Sequence, residues 1–359
     1  MKILFDHQIF SSQVHGGVSK YFAEVIHRLP QNTWKVSAWL SNNEYADNYN
    51  LFNRVNFFPN LSFRGKGRIM SEFGKGYSLL QIHKGNFDVF HQTNFDTYCL
   101  KPLKNKPMVT TYHDINFLTE MNYNERMIKL QKKSLERADR VIAISNNTKN
   151  DLLNYFDINP DKITVIYHGI DNTYIPPELS EPIYDKPYIL FVGMRHAFKN
   201  FTRFVKAFGM IANKYPDIDV VCTRIPFSNE ELDLFNNLGI KNRMHYCIAD
   251  EITLNRLYKG ALFFVFPSIY EGFGMPILEA MVNGCPVVLA KSSCFPEIAG
   301  DAALYFDPLD EESIKSAIVR MIDSESLREN YRKMGLEHVK LFSWDICANK
   351  HYQLYKSLL

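Results

Sequence analysis

The alternation of strand-like and helix-like patterns constrains the fold of this chain more than any other feature of its sequence. Short apolar runs, which suit buried strands, alternate with segments whose apolar residues recur at helical spacing. In the first half of the chain the predicted strands are residues 3–5, 34–40, 89–90, 108–112, 141–144 and 163–167. Strands that alternate with helices form a parallel sheet with crossover helices, so this half is predicted to be a doubly wound α/β domain.

A second series of the same kind follows a stretch at residues 172–187 that has little periodicity and contains four prolines. Its predicted strands are residues 188–192, 220–222, 245–248, 262–266, 287–289 and 303–306. The sequence therefore predicts a first domain at residues 1–175, a linker at 176–187 and a second domain at 188–340. Two doubly wound domains joined in this way are expected to face a cleft, with ligands at the carboxyl ends of the strands.

The composition is that of an ordinary folded protein and argues against several classes of function. The chain has 359 residues, of which 46% are apolar and 22% charged, and its net charge is +2. A nearly neutral chain whose cations are not interleaved with aromatic platforms does not suggest nucleic-acid binding. Its six cysteines include no CxxC pair, so we expect reduced, buried thiols. The start of the chain does not resemble a signal peptide and no apolar run reaches about 18 residues, so we expect a cytoplasmic protein.

A glycine-rich turn follows the predicted strand at residues 262–266. It comprises Glu271, Gly272, Phe273 and Gly274. Pro276 then suits the first turn of a helix, whose unpaired N–H groups attract an anion. Glu271 and Glu279 flank this anion site, and carboxylates accept hydrogen bonds from vicinal hydroxyls. The pattern indicates a site for a nucleotide diphosphate-sugar, with ribose on one side and hexose on the other.

The turn resembles that of the retaining glycosyltransferases of family four, which have the GT-B fold of two Rossmann-like domains. In that family a glutamate, seven residues and a second glutamate lie in a Glu-Gly-Phe-Gly-like turn, and Glu271 and Glu279 match this spacing. The resemblance implies that Glu271 contacts the donor sugar, that Glu279 contacts the ribose hydroxyls, and that the three residues after Glu271 take part in donor binding. It also implies that a C-terminal helix, predicted within residues 341–359, crosses back to the first domain.

Two cations, Arg195 and Lys199, lie in the loop after the first strand of the second domain. Cations at this spacing in a strand-to-helix loop can converge on one anion. The resemblance implies that both neutralise the departing diphosphate. Because these cations and a helix N-terminus would replace a metal ion, neither a metal nor a cofactor is predicted. Asp217 and Asp219 form a DxD sequence, but they precede a predicted strand, away from the expected ligand site.

Gly16, Gly17 and His113 of the first domain also resemble residues of the family. Gly16 and Gly17 resemble a glycine loop whose backbone reaches the donor phosphate from the opposite domain, although paired glycines also suit a simple turn. His113 ends the strand at residues 108–112 and is predicted either to contact the donor sugar or diphosphate or to be a partly buried structural residue. Ser145 is predicted to cap the helix that follows the next strand.

One departure from the family affects donor recognition. The family usually has a glycine-rich turn after the strand at residues 220–222, whereas this chain continues with Thr223, Arg224, Ile225 and Pro226. Side chains at this turn can reshape the floor of the nucleotide site. The choice between UDP and GDP sugars is therefore left open by the sequence.

Two basic stretches, residues 61–86 and 126–140, lie in the first domain. Each cation near an anionic membrane contributes roughly 1 kcal/mol of attraction. Two interpretations follow. Either these stretches form a peripheral face on the inner side of a membrane that carries a lipid-linked acceptor, or they are a solvated face with a mobile loop.

Taken together, these features predict a retaining, metal-independent hexosyltransferase. Its donor would be a UDP- or GDP-sugar and its acceptor a hydroxyl of a glycan or a lipid-linked glycan, as in cell-surface polysaccharide or glycolipid assembly. The predicted catalytic residues are Glu271, His113, Arg195 and Lys199. The alternatives are a GT-B nucleotide-sugar epimerase, a non-catalytic nucleotide-sugar-binding subunit, and a glycoside hydrolase that uses Glu271 and Glu279. The hydrolase would leave Arg195 and Lys199 without a role.

Overall fold

The structure, a computed structural model, describes residues 1–115, 124–172, 175–176, 179, 181–195 and 197–359. The chain packs as two compact units. The N-terminal unit comprises Met1–Gly169 together with Phe342–Leu359, and the C-terminal unit comprises Ile170–Leu341. The last segment of the chain therefore belongs with the first. The predicted linker at residues 176–187 includes positions outside the described residues.

The N-terminal unit is built on a six-stranded parallel sheet with the order β2-β1-β3-β4-β5-β6. Its strands are β1 (Ile3–Phe5), β2 (Trp34–Val36), β3 (Val89–Gln92), β4 (Met108–Tyr112), β5 (Arg140–Ala143) and β6 (Ile163–Val165). Its helices are α1 (Gln8–Ser12), α2 (Gly17–Arg28), α3 (Glu44–Asn48), α4 (Lys66–Lys84), α5 (Glu125–Arg137), α6 (Asn146–Tyr155) and, at the end of the chain, α14 (Trp344–Lys356). Ser145 caps α6 as predicted, because its side chain accepts from the backbone N–H of Thr148.

The C-terminal unit repeats this architecture with a sheet of order β12-β11-β10-β7-β8-β9. Its strands are β7 (Tyr188–Phe191), β8 (Asp219–Thr223), β9 (Met244–Cys247), β10 (Phe263–Phe266), β11 (Val287–Ala290) and β12 (Leu304–Phe306). Its helices are α7 (Phe201–Gly209), α8 (Asn229–Asn237), α9 (Glu251–Gly260), α10 (Met275–Val282), α11 (Phe295–Ala299), α12 (Glu311–Asp323) and α13 (Glu325–His338). The central strands are buried throughout, as expected for parallel strands with helices on both faces.

The twelve predicted strands are all present, and the predicted class of two doubly wound parallel sheets is confirmed. The interpretation of residues 61–86 as a mobile loop is wrong for most of its length, because Lys66–Lys84 form α4. Three glycines lower the helix propensity of this segment and weaken its sequence pattern. One of them has a packing reason, since a Cβ atom at Gly74 would lie 2.4 Å from Nδ1 of His7.

The C-terminal helix α14 packs on α2 within the N-terminal unit. Nε2 of His351 lies 2.6 Å from the hydroxyl of Tyr21, and the hydroxyl of Tyr355 lies 2.6 Å from Nδ1 of His91. A Cβ atom at Gly169 would lie only 2.0 Å from the backbone nitrogen at the start of α14. Glycine at position 169 is therefore what allows the helix to approach so closely.

We find no helix among the described residues with both the length and the apolar character required to span a bilayer.

Candidate active site

The topology of the C-terminal sheet indicates where a ligand binds. β8 and β9 lie on one side of β7, whereas β10, β11 and β12 lie on the other side. The strand order therefore reverses between β7 and β10. In open parallel sheets ligands bind beside the carboxyl ends of the strands at such a switch point. Two loops meet there: the loop after β7 contains Lys199, and the loop after β10 contains Glu271.

Glycine and proline shape the loop after β10. Gly274 has a φ of 90°, and a Cβ atom there would lie 3.0 Å from both Ile277 Cδ1 and Phe295 Cε1. Only glycine fits this turn without displacing its neighbours. Pro276 lies in the first turn of α10, where its missing N–H costs no helical hydrogen bond. The loop therefore leads directly into a helix N-terminus that attracts negative charge.

Gly272 and Phe273, two residues predicted to bind the donor, are both buried, and Phe273 is only 3% exposed. The phenyl ring therefore packs inside the C-terminal unit. A donor contact at this residue would come from its backbone.

Lys199 and Glu271, predicted to serve one ligand, are in direct contact. Nζ of Lys199 lies 2.5 Å from Oε1 of Glu271, and both side chains are only 17% exposed. The backbone N–H of Ile269 donates to the carbonyl of Phe198 at 2.8 Å, which ties the two loops together. The ammonium group also lies 5.4 Å from the centroid of the Phe266 ring. Lys199 and Glu271 thus form a largely buried ion pair whose two side chains can contact adjacent groups of one substrate.

The backbone of Glu271 is held by the loop after β11. Its N–H donates to the hydroxyl of Ser293 at 3.2 Å, and its carbonyl accepts from the thiol of Cys294 at 3.2 Å. Burial raises the pKa of the Cys294 thiol well above its usual value, so the thiol keeps the proton that it donates. The hydroxyl of Ser292 donates to the carbonyl of Ile269. These contacts of Glu271 were not predicted from the sequence, because they join residues of separate strand–helix loops.

Glu279 lies in α10 and is paired with α9. The hydroxyl of Tyr258 donates to Oε2 of Glu279 at 3.1 Å. Burial raises the pKa of Tyr258 well above its usual value, and the charge of Glu279 raises it further, so the phenol remains a donor. Tyr258 was not identified from the sequence, since a tyrosine on the apolar face of a helix resembles ordinary core packing.

Arg195 has partners other than those of Lys199. Its side chain is 2% exposed, its Nε lies 2.5 Å from Oε1 of Glu231, and its Nη2 donates to Oε2 of the same residue at 3.1 Å. Glu231 lies in the first turn of α8, where it also completes a capping box with Ser228. The predicted convergence of Arg195 and Lys199 on one anion stays a prediction, because their present ion-pair partners differ.

The DxD sequence lies where predicted, at the amino end of β8. Asp219 is the first residue of this strand, and its Oδ2 lies 3.0 Å from Nε2 of His245. Its Oδ1 lies 3.8 Å from Nε of Arg243. Asp219 therefore takes part in an ion-pair cluster at the sheet edge opposite the switch-point loops.

His113 lies in the N-terminal unit, just after β4. Its ring centroid lies 5.0 Å from that of Tyr21 and 6.1 Å from that of His168. Its Nε2 is buried and has no hydrogen-bond partner within the part of the chain that the structure describes. Burial, followed by the influence of His351, lowers the pKa of His113 to about 3. This imidazole is therefore neutral at physiological pH and can offer a hydrogen bond but no positive charge.

Gly16 and Gly17 begin α2, and Gly16 is its N-cap. The side chain of Gln13 already serves this end of the helix, because its Oε1 accepts from the backbone N–H of Ser19 at 3.1 Å. A Cβ atom at Gly17 would meet nothing within 4 Å. A Cβ atom at Gly16, in contrast, would lie 2.6 Å from Oε1 of Gln13. The predicted contact of the two glycines with a donor phosphate stays a prediction.

Comparison with known proteins yields matches over both units. Residues 180–338 match the sequence profile described as glycosyl transferases group 1, and residues 15–174 match that described as glycosyltransferase family 4. The O-antigen chain mannosyltransferase B of Escherichia coli is 30% identical over 296 residues, which cover 75% of this chain and 74% of that protein.

Solved structures show the same fold. A glycosyltransferase of Rickettsia africae has a TM-score of 0.77 and 20% identity, with coverage of 99% of this chain and 98% of that one. Anabaena HepE in complex with UDP-glucose has a TM-score of 0.77 and 16% identity, with coverage of 99% and 100% respectively. At these identities the likeness concerns the fold alone.

Proposed function

This chain belongs to the glycosyltransferases of family four and has their GT-B fold, and we propose that it moves a hexose, with retention, from a nucleotide diphosphate-sugar to an acceptor hydroxyl. The observation that carries the proposal is the pair formed by Lys199 and Glu271 at the switch point of the C-terminal sheet, beside the N-terminus of α10. A fixed cation, a helix N-terminus and a carboxylate together suit a substrate that carries an anionic leaving group and a sugar.

In the proposed reaction the bond between the sugar and the diphosphate breaks first. Lys199 and the N–H groups of α10 stabilise the negative charge that develops on the departing diphosphate. Glu271 accepts hydrogen bonds from the sugar, and its charge favours the oxocarbenium-like transition state. The acceptor oxygen then bonds to the anomeric carbon on the face that the diphosphate leaves, and a departing phosphate oxygen takes the hydroxyl proton. Attack on the same face accounts for retention without a protein base. Glu279, held by Tyr258, accepts from the ribose hydroxyls.

The donor is proposed to be a UDP- or GDP-sugar. The E. coli relative is named a mannosyltransferase and the Anabaena neighbour is bound to UDP-glucose, so each supports a hexose donor but they differ in the sugar that they name. A thermal-shift panel of UDP-glucose, UDP-galactose, UDP-N-acetylglucosamine, GDP-mannose and ADP-glucose tests this directly, because a bound donor raises the melting temperature by mass action. If none of the five nucleotide-sugars raises the melting temperature, the proposal is contradicted.

We propose that transfer needs no metal ion, since Lys199 and the N-terminus of α10 supply positive charge at the diphosphate. Full activity in excess EDTA is expected. Activity that disappears with EDTA and returns with Mg²⁺ or Mn²⁺ would contradict this part of the proposal.

The acceptor is proposed to be a glycan or lipid-linked glycan of cell-surface polysaccharide or glycolipid assembly, in line with the name of the E. coli relative. Two other functions predict different products from the same donor. An epimerase would interconvert the nucleotide-sugar without an acceptor, and a binding subunit would release no nucleotide with any acceptor. Nuclear magnetic resonance of the reaction with a GDP- or UDP-sugar and polyprenyl-linked oligosaccharide distinguishes the three and reports the anomeric configuration.

We further propose that the protein docks on the inner face of a membrane through an aromatic–basic surface of the N-terminal unit. This surface comprises the exposed apolar side chains Val55, Phe58, Leu61, Phe63, Ile69 and Phe73 and the cations Arg64, Lys66 and Arg68. The rings of Phe57, Phe58 and Phe63 pack edge to face, and Lys66 donates to the carbonyls of Phe58 at 2.7 Å and Leu61 at 2.9 Å.

Exposed rings beside cations suit an anionic bilayer, where apolar groups enter the interface and cations face the headgroups. Flotation with liposomes of phosphatidylglycerol is expected, and flotation with neutral phosphatidylcholine should be much weaker. The double variant Phe58→Ser/Leu61→Ser should lose flotation, whereas Leu341→Ser, which removes an exposed leucine from the C-terminal unit, should keep it. If the protein floats with neither phosphatidylglycerol nor phosphatidylcholine liposomes, membrane docking is refuted and the transferase proposal is unaffected.

A further inference from the structure

We infer that Ser293 and Cys294 are positioning residues of the transfer reaction, which fix the backbone of Glu271 and thereby place its carboxylate for the donor sugar. The inference rests on the proposed function, because both residues act through Glu271 and neither touches the donor. Loss of either residue should therefore slow transfer more than it weakens nucleotide binding.

The main-chain groups of Glu271 depend on side chains of the loop after β11 (residues 291–294). The N–H of Glu271 donates to the hydroxyl of Ser293 at 3.2 Å, and its carbonyl accepts from the thiol of Cys294 at 3.2 Å. Within the part of the chain that the structure describes, no backbone group pairs with this N–H or this carbonyl. The two side chains therefore satisfy both backbone groups of Glu271 and determine where this residue lies.

Ser293 makes its contact from an uncommon backbone conformation. Its φ is 46°, in the left-handed region that residues with a Cβ atom rarely adopt. Such strain persists where the surrounding contacts impose it, and it is concentrated at functional sites. On one side the hydroxyl of Ser292 donates to the carbonyl of Ile269. On the other side the carbonyl of Cys294 accepts from the N–H of Ile298 at 2.9 Å, so Ser293 is held between the loop after β10 and α11.

The loop after β11 is itself anchored in the core of the C-terminal unit. Cys294 and the following Phe295 are both fully buried. The ring centroid of Phe295 lies 4.7 Å from that of Phe266, the last residue of β10. Because side chains in a close-packed core cannot shift independently, this packing fixes the loop relative to β10. The hydrogen bonds from Ser293 and Cys294 then transmit that fixed position to Glu271.

The rate of transfer should be sensitive to the position of Glu271. Its carboxylate ends a side chain with three rotatable bonds and lies 2.5 Å from Nζ of Lys199, so a shift of the backbone also alters this ion pair. A misplacement of about 1 Å at a reacting group can reduce the rate by about 10²-fold. Groups that hold a functional side chain in place are therefore expected to affect catalysis without contact with the substrate.

The test is a nucleotide-release assay with the nucleotide-sugar of the five-member panel that raises the melting temperature most. Release is followed with and without polyprenyl-linked oligosaccharide, because transfer to water breaks the same bond. Ser293→Gly should lower kcat by about tenfold, as for the loss of one hydrogen bond. The affinity for the corresponding nucleoside diphosphate, measured by calorimetry, should change by less than about twofold.

The variants include controls for stability and for chemistry. Glycine relieves the positive φ of residue 293, so the melting temperature of Ser293→Gly should stay close to that of the wild type. Asn50→Gly is the matched control, because Asn50 is exposed in the N-terminal unit and has a φ of 49°, and it should keep the full kcat. Cys294→Ala should lower kcat severalfold, and Cys294→Ser, whose hydroxyl can donate to the same carbonyl, should recover part of it.

A double-mutant cycle tests whether Ser293 acts through Glu271. Once Glu271→Ala has removed the carboxylate, the further change Ser293→Gly should slow nucleotide release little or not at all. If the two losses multiply in full, Ser293 acts independently of Glu271 and the inference is overturned. An unchanged kcat in Ser293→Gly or in Cys294→Ala also overturns it. Equal losses of kcat and of nucleotide affinity would show that the loop after β11 holds the nucleotide, which likewise overturns it.

The same measurements separate this inference from the proposed function. A wild-type protein that binds none of the five nucleotide-sugars, or that releases nucleotide neither with nor without acceptor, refutes the proposed function and the inference together. Slow nucleotide release in Glu271→Ala, combined with full release in Ser293→Gly and Cys294→Ala, supports the proposed role of Glu271 and refutes the inference alone.

Discussion

Replacement of His351 by glutamine should remove part of the acid sensitivity of the fold. Nδ1 of His351 lies 2.8 Å from the carbonyl of Cys347 in the same helix, and Nε2 lies 2.6 Å from the hydroxyl of Tyr21 in α2. Because a carbonyl only accepts, Nδ1 carries the proton and Nε2 accepts from the tyrosine. Burial lowers the pKa of His351 to about 4, so it is a neutral imidazole that joins α14 to α2.

The size of the expected change in unfolding free energy follows from the two pKa values of His351, one in the unfolded chain and one in the fold. The gap between 6.5 in the unfolded chain and about 4 in the fold corresponds to about 3 kcal/mol. Above pH 6.5 His351 is neutral in both the folded and the unfolded chain, and its contribution to the free energy of unfolding is fully present. As the pH falls from 6.5 towards 4, the unfolded chain binds a proton that the folded chain rejects, so the free energy of unfolding decreases. At pH 5 this loss is about 2 kcal/mol.

Urea unfolding at pH 7.5 and pH 5.0, followed by circular dichroism, measures the effect. The decrease in unfolding free energy between the two pH values should be about 2 kcal/mol smaller in His351→Gln than in the wild type. His83→Gln, which changes an exposed imidazole at the end of α4, is the matched control and should keep the full decrease. An equal decrease in His351→Gln and the wild type would refute the reasoning, whatever the stability of the variant at pH 7.5.

Three further predictions concern the donor site and the packing of α14. Lys199→Met should lower kcat by about 10²–10³-fold in a nucleotide-release assay, because one group that stabilises the negative charge of the leaving diphosphate is lost. Lys199→Arg should recover part of this rate. An unchanged kcat in Lys199→Met would contradict the proposed role of Lys199. Glu279→Ala should weaken the binding of every nucleotide-sugar measured by calorimetry, whereas Glu271→Gln should reduce turnover more than donor affinity. Equal effects of the two substitutions would contradict the separate roles proposed for these glutamates. Gly169→Ala should destabilise by about 3 kcal/mol or more, seen as a lower melting temperature, because its Cβ would lie 2.0 Å from a backbone nitrogen of α14. Gly17→Ala, which meets open space, is its control for stability.

The fold was predictable because its signals are local. Most strands are short apolar runs buried on both faces, and segments with helical spacing lie between them, so the pattern can be recognised without knowledge of any distant contact. One helix that was missed, α4, has a weak local pattern. α4 contains three glycines and many cations, and only its packing against His7 and the sheet explains why it is helical.

In the proposed donor site, residue types and spacing alone identified the glycine-rich turn, the two glutamates and Lys199, because backbone freedom and charge are properties of single residues at fixed spacing. The side chains that contact those residues could be identified only from the folded chain. The ion pair of Arg195 with Glu231 joins two separate strand–helix segments, and the contact of the Tyr258 hydroxyl with Glu279 joins α9 to α10. The convergence of Arg195 and Lys199 on one anion stays a prediction. Partner choice depends on which loops the strand order places side by side, and with parallel strands those loops are far apart in the chain.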